Sequence, residues 1–405
     1  MISVRFFPIS WHPYSSQLLA GLFDLEAAGE INLSIERPSC LPIQERDWGD
    51  KHNGHLAYVE VSDDSKFWKK MVCDFLDGPE IISPDALSEC DVYFKRSFSS
   101  DYIAGRRDQW QIDTPIHRQK IHPYGLNYPN YSPSEHSRLM RALVQARVAG
   151  LWSKEPRKAL ELINNATFKR LTYLPKKLIG RGSVPRTVSC PASTAVKPQI
   201  LFQTRIFAEN HPKYKEDTNA FNQQRVDLVR HLKQRFAKRF VGGLTPTPYT
   251  IKNFPDVVTQ ERVSNLAYIK LVEESAIAIH TEGKRHSIGW RLPEYVAMSK
   301  AIVAQPLAYE IPVPLEIGRN IEVFASAEEC GDHCERLLNN PDQIQAMREA
   351  NDDYYQTVLK PEKLVMSLLT RALSAPRRNH LLLASAQPSP KAGHSDAGEN
   401  TKSVG

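Results

Sequence analysis

Long apolar runs are missing from this sequence: no stretch approaches the roughly 18 consecutive apolar residues of a membrane-spanning helix. The opening MISVRFFPISWHPYSS also lacks a charged start, a long apolar core and a small-residue cleavage site. The expectation is a cytoplasmic protein, neither exported by a standard signal nor threaded through a bilayer. Cysteine is sparse and unpatterned. The six residues Cys40, Cys73, Cys90, Cys190, Cys330 and Cys334 form no CxxC pair and meet no histidine cluster, which argues for reduced thiols rather than a disulfide framework. Cys330 and Cys334 lie one helical turn apart but have no second ligand pair to complete a zinc site. Glycine (19) is outnumbered by proline (28), against a collagen-like or low-complexity chain. Excess charge is small as well. Lys and Arg number 52 against 46 Asp and Glu, and the net +6 falls short of a dedicated nucleic-acid binder, leaving small anions or an anionic surface as partners.

What is present is a globular composition, 41% hydrophobic and 24% charged over 405 residues, enough for two to three domains with sizeable cores. ISVRFFP (2–8) reads as a buried strand, SSQLLAGLFDLEAAG as a helix stopped by Gly29, and INLSIER (31–37) as the next strand, so the chain opens as a parallel α/β sheet. HLAYVEVS (55–62), EIIS (80–83) and DVYFKRSF (91–98) are further strand-like runs, and a helix is predicted from about Ser134 to Trp152. Residues 154–186 carry nine basic residues against Glu155 and Glu161, and 180–198 has the Ser, Pro and Gly content of a linker. The rhythm then restarts with strand QILFQTRIF (199–207), amphipathic helix 219–236, strand RFVGGL (239–244), helix SNLAYIKLVEES (264–275), strand AIAIHT (276–281), helix RLPEYVAMSKA (291–301) and strand IVAQP (302–306). The expected organisation is a first α/β domain with basic connector helices over 1–180, a linker over 181–198, a second over 199–350, helices over 351–383 and a disordered tail over 384–405.

The stretch most suggestive of chemistry is Ser275 to Phe324. Ligands of open parallel sheets sit beyond the carboxyl ends of strands, and AIAIHT ends in Glu282-Gly283-Lys284-Arg285-His286-Ser287 just before a helix at Arg291. Gly283 lets a ligand approach the backbone, the helix start offers unpaired N–H groups, and Lys284, Arg285 and Arg291 add positive charge, a combination suited to a diphosphate. Glu294 in the first turn can accept hydrogen bonds from vicinal hydroxyls, or it can simply complement the helix dipole. Arg225 in the 219–236 helix can point toward the phosphates, although Arg225, Arg230, Lys233, Arg235 and Lys238 together look mostly like a solvated helix face, and Tyr268 and Leu271 look like core.

The ordered series Tyr268, Leu271, Ser275-Ala276-Ile277-Ala278-Ile279, Gly283, Arg291-Leu292-Pro293-Glu294-Tyr295-Val296-Ala297-Met298, Ile302-Val303, Gly318-Arg319-Asn320, Val323-Phe324, Leu337-Leu338 and Pro341 resembles the nucleotide-binding half of GT-B glycosyltransferases. The similar sets are the group-1-like bacterial enzymes with the related CgeB-like and exostosin-like proteins. The resemblance covers roughly 199–370, and by order of elements the first 150 residues. It implies two Rossmann-like domains facing a cleft, with C-terminal helices crossing back to the first domain. It also implies transfer of a sugar from a nucleotide-diphosphate sugar, a co-substrate rather than a cofactor, to a hydroxyl of a glycan or glycolipid of cell-surface polysaccharide type. Glu294 would hold the donor ribose, Arg291 would contact the diphosphate or sugar and Arg205 would be a second phosphate contact, beside Gly283, Lys284 and Arg285 of the donor loop; His286 can hydrogen-bond a sugar hydroxyl or be a solvent-exposed loop histidine.

Two departures from that pattern stand out. Many group-1 enzymes carry a second glutamate eight positions earlier, where this chain has His286, and the small residue after the helix is Ser299-Lys300. In the first half Trp11-His12-Pro13-Tyr14 occupies the first strand-to-helix turn, so His12 is the candidate general base on an acceptor hydroxyl if transfer inverts, or else a polar turn residue without catalytic duty, with Asp101 and Asp74 as weaker candidates for the base. Lys95-Arg96 resembles a cleft-edge segment of the same enzymes and equally fits a solvated strand end. No DxD-type pair follows a strand, Asp63-Asp64 lying in a polar turn and Asp352-Asp353 in a late helix, so no essential metal is expected. The basic region 154–186 suits a peripheral contact with an anionic inner-leaflet surface, or is a solvated connector. A nucleotide-sugar epimerase of the same fold and a catalytically inactive binding or scaffold relative are the competing expectations.

Overall fold

A computed structural model of the chain describes residues 1–8, 13–36, 55–63, 66–105, 115–130, 139–144, 189–207, 215–259 and 264–376. His12, Cys40, the basic region 154–186 and the tail over 384–405 lie outside the described residues. The architecture is α/β, with two mostly parallel sheets.

In the first half β1 (Ile2–Phe7), α1 (Ser16–Ala27) and β2 (Ile31–Ile35) form the expected parallel crossover. Next come β3 (Leu56–Ser62), β4 (Lys69–Asp74), α2 (Pro84–Glu89), β5 (Val92–Lys95) and β6 (Ile121–Pro123), in the sheet order β2-β1-β3-β4-β5-β6. β3 runs antiparallel to both neighbours, so this sheet is not wholly parallel. The connection from β3 to β4 is too short for a crossover, which forces the chain to turn back. EIIS is not a strand: Ser83 caps α2 by accepting the Ala86 N–H at 3.2 Å, with Pro84 opening the helix, and Glu80 lies in a turn. The strand is instead β4, whose apolar run is only Met71-Val72-Cys73.

The second half contains β7 (Lys197–Thr204), α3 (Lys215–Phe236), β8 (Phe240–Leu244), α4 (Asn265–Glu274), β9 (Ser275–His280), α5 (Arg291–Ala297), β10 (Ala301–Ala304) and β11 (Ile321–Val323). α6 (Ala327–Leu338), α7 (Pro341–Tyr354), a π-helical turn over Tyr355–Leu359 and α8 (Pro361–Ser374) follow. Every pairing among these strands is parallel, in the order β11-β10-β9-β7-β8. Counted from β7 this is a 2-1-3-4-5 sheet, the doubly wound order whose switch point lies between β7 and β9. Val226, Val229, Leu232 and Phe236 form the stripe by which α3 covers one face, together with Cys330 and Cys334 of α6, so both thiols belong to the apolar core.

α5 ends earlier than its periodicity suggests. Ser299 adopts φ 50°, the left-handed conformation that glycine favours, and donates its hydroxyl to the Cys190 carbonyl at 2.7 Å. Arg348 donates to the Ser299 carbonyl at 3.1 Å and buried Lys300 to that of Glu273 at 2.9 Å, so the Ser-Lys departure preserves the turn at the end of α5. α8 leaves the second half altogether: Leu364, Val365, Leu368, Leu369 and Ala372 pack with Leu18, Leu22 and Leu25 of α1 in the core of the first sheet. The expected return of the C-terminal helices to the first half is therefore present.

Candidate functional site

The switch point is organised by a residue that looked like solvated surface. Arg225 sits on the same stripe of α3 as Val229 and Leu232 and is 7% exposed. Its guanidinium donates to the carbonyl of Arg205, just past β7, at 2.5 Å and to that of Glu282, just past β9, at 2.6 Å. One buried cation thus ties together the two strand ends between which ligands of such sheets bind. Its Nε has no partner among the described residues. Burial, then the charges of Arg291 and Arg205, lower its pKa to about 9. Arg230 and Arg235, by contrast, are spent on surface ion pairs with Asp256 and with Asp332 and Glu335.

Around this clamp the sequence candidates separate into two groups. Arg205 and Lys284 are exposed and both stand over the Phe207 ring, at 5.0 and 4.0 Å from its centroid, so the β7 and β9 loops bring their charges to one place. Gly283 donates to the Ser287 carbonyl at 2.7 Å, and a Cβ there would meet the Ser287 hydroxyl at 2.5 Å, so the loop closes on itself. Below it the Arg291 guanidinium lies 4.2 Å from the Tyr268 ring centroid, and the Tyr268 and Tyr295 hydroxyls are 3.2 Å apart. Tyr268 is therefore the stacking platform of Arg291 as well as part of the core. The carboxyl of Glu294, one turn along α5, makes no hydrogen bond or ion pair among the described residues; burial raises its pKa to about 7 against the opposing charge of Arg291.

Arg285 and His286 are committed elsewhere. Arg285 pairs with Glu80 of the first half, and its carbonyl accepts the Tyr309 hydroxyl. His286, largely exposed, bonds Glu282 at 2.7 Å. Both adopt left-handed φ angles, 56° and 57°, a conformation non-glycine residues rarely take. The first half holds the same loop a second time, through Arg96, which donates to the carbonyl of Ile288 at 3.2 Å and to Asp77 at 2.8 Å. Lys95 and Arg96 are thus buried rather than a solvated strand end: Lys95 pairs with Asp74 at 3.1 Å, and Tyr93 donates to Asp74 at 2.6 Å. Asp74, fixed in that buried pair, is not available as a general base. Asp101 lies in an exposed helical turn, Ser100–Gly105. Tyr14 meets Trp290 edge-on at 4.9 Å and lies under Arg96 at 4.9 Å, so Tyr14 itself touches the second half; His12 lies outside the described residues.

His280, the last residue of β9, was not a sequence candidate. It is 3% exposed and its Nε2 has no partner among the described residues. Burial, then Arg225 and Arg291, lower its pKa to about 3, so the ring is neutral. Arg291 Nη1 is a third buried nitrogen without a partner. The available signals were an arginine on an apolar helix stripe and a histidine closing an apolar strand. Among the described residues no group of three or more His, Cys, Asp or Glu is placed to hold a metal, and no helix is long and apolar enough to cross a membrane.

Glu80 competes with any anionic ligand for Arg285. An ion pair this exposed contributes about 1 kcal/mol or less. Glu80→Ala should therefore tighten binding of inorganic pyrophosphate about 3-fold while leaving the melting temperature nearly unchanged; unchanged or weaker binding by calorimetry would show that Arg285 takes no part.

Residues 223–363 match the family model described as glycosyl transferase-like. No curated protein matches the chain. Among solved structures, the chain is similar to the C-terminal domain of a glycosyl transferase group 1 family protein, LpcC, from Francisella tularensis, at 14% identity over 41% of this chain and 88% of that one, with a TM-score of 0.30. Anabaena HepE in complex with UDP is 10% identical over 72% and 80%, with a TM-score of 0.33. A glycosyltransferase from Rickettsia africae is 12% identical over 70% and 63%, with a TM-score of 0.35.

Proposed function

We propose that this chain, which carries a glycosyl transferase-like domain over residues 223–363, transfers a sugar from a nucleoside diphosphate sugar bound at the β7–β9 switch point to a hydroxyl of a glycan or glycolipid. The observation that carries the reading is the set of three buried nitrogens at that point, Arg225 Nε, His280 Nε2 and Arg291 Nη1, that have no partner among the described residues. A buried donor left unpaired is costly, and a cluster of them between strand ends is built for an anion. A diphosphate supplies the charge and the several acceptor oxygens that the cluster needs. Arg205 and Lys284 over Phe207 would receive the outer phosphate, whose charge grows as the sugar departs, and fixed positive groups there lower the barrier most. Glu294 would accept the two ribose hydroxyls, which replaces solvent with hydrogen bonds to its ionised form. His12 remains the proposed base on the acceptor, and the acceptor site the first-half side of the cleft. No cofactor or metal is assigned a role.

Calorimetric titration with inorganic pyrophosphate and a panel of nucleoside diphosphates tests this. The reading requires that at least one nucleotide bind, and that Glu294→Ala weaken the nucleotide but not pyrophosphate. Absence of any nucleotide binding would leave a scaffold as the better account, and donor turnover without acceptor would favour an epimerase.

The raised pKa of Glu294 has a pH signature. Its folded value, about 7, exceeds the ordinary carboxylate range, so the protonated form is the one folding favours. That stability is complete below about pH 4.5 and is lost as the pH rises through 7. Melting temperature should therefore fall between pH 5 and pH 8 in the native protein and fall less in Glu294→Gln. Nucleotide affinity should run the other way, rising with pH as the carboxylate ionises. Parallel pH profiles in the two proteins would remove Glu294 from the site.

A further inference from the structure

We propose that His280 contacts the ligand directly, its ring Nε2 donating a hydrogen bond to a phosphate oxygen held between Arg225 and Arg291 at the end of β9. The inference rests on the diphosphate reading above and adds to it the residue that forms the floor of the site. The ring is enclosed, yet Nε2 finds no acceptor among the described residues, an arrangement that folding alone disfavours. The residue stands one position before Thr281 and two before Glu282, whose carbonyl is pinned by Arg225. It therefore shares the strand end, and the clamp, with the proposed phosphate site. A neutral donor between two arginines supplies a directional bond without adding a third buried charge to the empty site, where like charges within a few ångströms repel strongly.

What covers the ring also points to a ligand. A Cβ on Gly289 would lie 3.4 Å from His280 Cε1, so the 283–290 loop rests against the imidazole at Gly289. That loop is gripped from the first half by Arg96 at Ile288 and by Glu80 at Arg285. An anion reaches His280 when the halves part and these two contacts release, and on reclosure the same loop buries the phosphate.

The test sets stability against affinity. His280→Leu keeps the volume and removes both nitrogens, so the empty protein should melt about 2–4 °C higher, as expected when an unsatisfied buried polar group is replaced by an apolar one. The same variant should bind inorganic pyrophosphate and the nucleoside diphosphate roughly 10-fold more weakly. His280→Asn, which keeps a side-chain donor, should recover part of that loss. A purely structural histidine predicts a lower melting temperature in His280→Leu, and that result, or unchanged affinity for pyrophosphate in both variants, overturns the proposal. If native protein binds pyrophosphate but no nucleotide, the glycosyl-donor reading fails while the His280 contact is still read from the pyrophosphate arm; if native protein binds neither, both fail.

Discussion

Arg291→Ala should weaken binding of both pyrophosphate and the nucleoside diphosphate by about 100-fold, the loss expected when a charged, largely desolvated hydrogen-bonding group worth about 2–3 kcal/mol is removed. Three features of its surroundings set this magnitude. Its guanidinium is held against Tyr268, so it needs little ordering when a ligand arrives. Its Nη1 has no partner among the described residues, so little is given up to make the new bond. It is also, among the described residues, the cation that counters burial in setting the protonation of Glu294. Without it the Glu294 carboxyl should ionise only at higher pH, so the rise of nucleotide affinity with pH should move to the alkaline side while the pyrophosphate profile does not. Arg291→Lys should restore only part of the affinity, because an ammonium offers a point charge in place of the planar fork. Calorimetry between pH 6 and 9 on the three proteins reads all of this. Near-native affinity in Arg291→Ala would move the anion site away from α5.

The second sheet was legible because its strands are short apolar runs between amphipathic helices; AIAIHT is buried throughout as β9, and RFVGGL is β8. The first sheet was less so. Met71-Val72-Cys73 is too short a run to stand out beside two lysines, and nothing local in HLAYVEVS reveals that β3 runs antiparallel, a fact fixed by the length of the chain that follows it. Chain order likewise does not disclose sheet order, so the switch point between β7 and β9 emerged only from the pairing. That is why Arg225 looked mostly like one more charge in a basic helix, and why the pairing of Arg285 with Glu80 was not foreseen. Composition shows a cation; which partner it meets depends on contacts more than 50 residues away, Glu282 for Arg225 and Glu80 for Arg285. Glycine was expected after α5, and the backbone there does take the conformation glycine favours, with Ser299 in its place.

Gly21→Ala should destabilise the protein by about 2–3 kcal/mol, although the same change at an exposed mid-helix position ordinarily stabilises by up to about 1 kcal/mol. Gly21 lies in the middle of α1, where that helix meets α8 returning from the second half. A Cβ there would press on the backbone carbonyl of Pro361 and come within 2.5 Å of Val365 Cγ2. Neither can yield cheaply: Pro361 opens α8 with its φ fixed by the ring, and Val365 is fully enclosed in the first core. To admit the methyl group α8 must lift as a unit, loosening Leu364, Leu368 and Leu369 along with it. The anion cluster stands on β7, β9, α3 and α5, none of which touches this contact, so pyrophosphate affinity measured below the unfolding transition should stay within about 2-fold of native. Urea unfolding and calorimetry on the same variant separate these effects. A stability gain would mean that α8 does not rest on Gly21, whereas loss of pyrophosphate binding would mean that the first half holds the switch point together as well as closing over it.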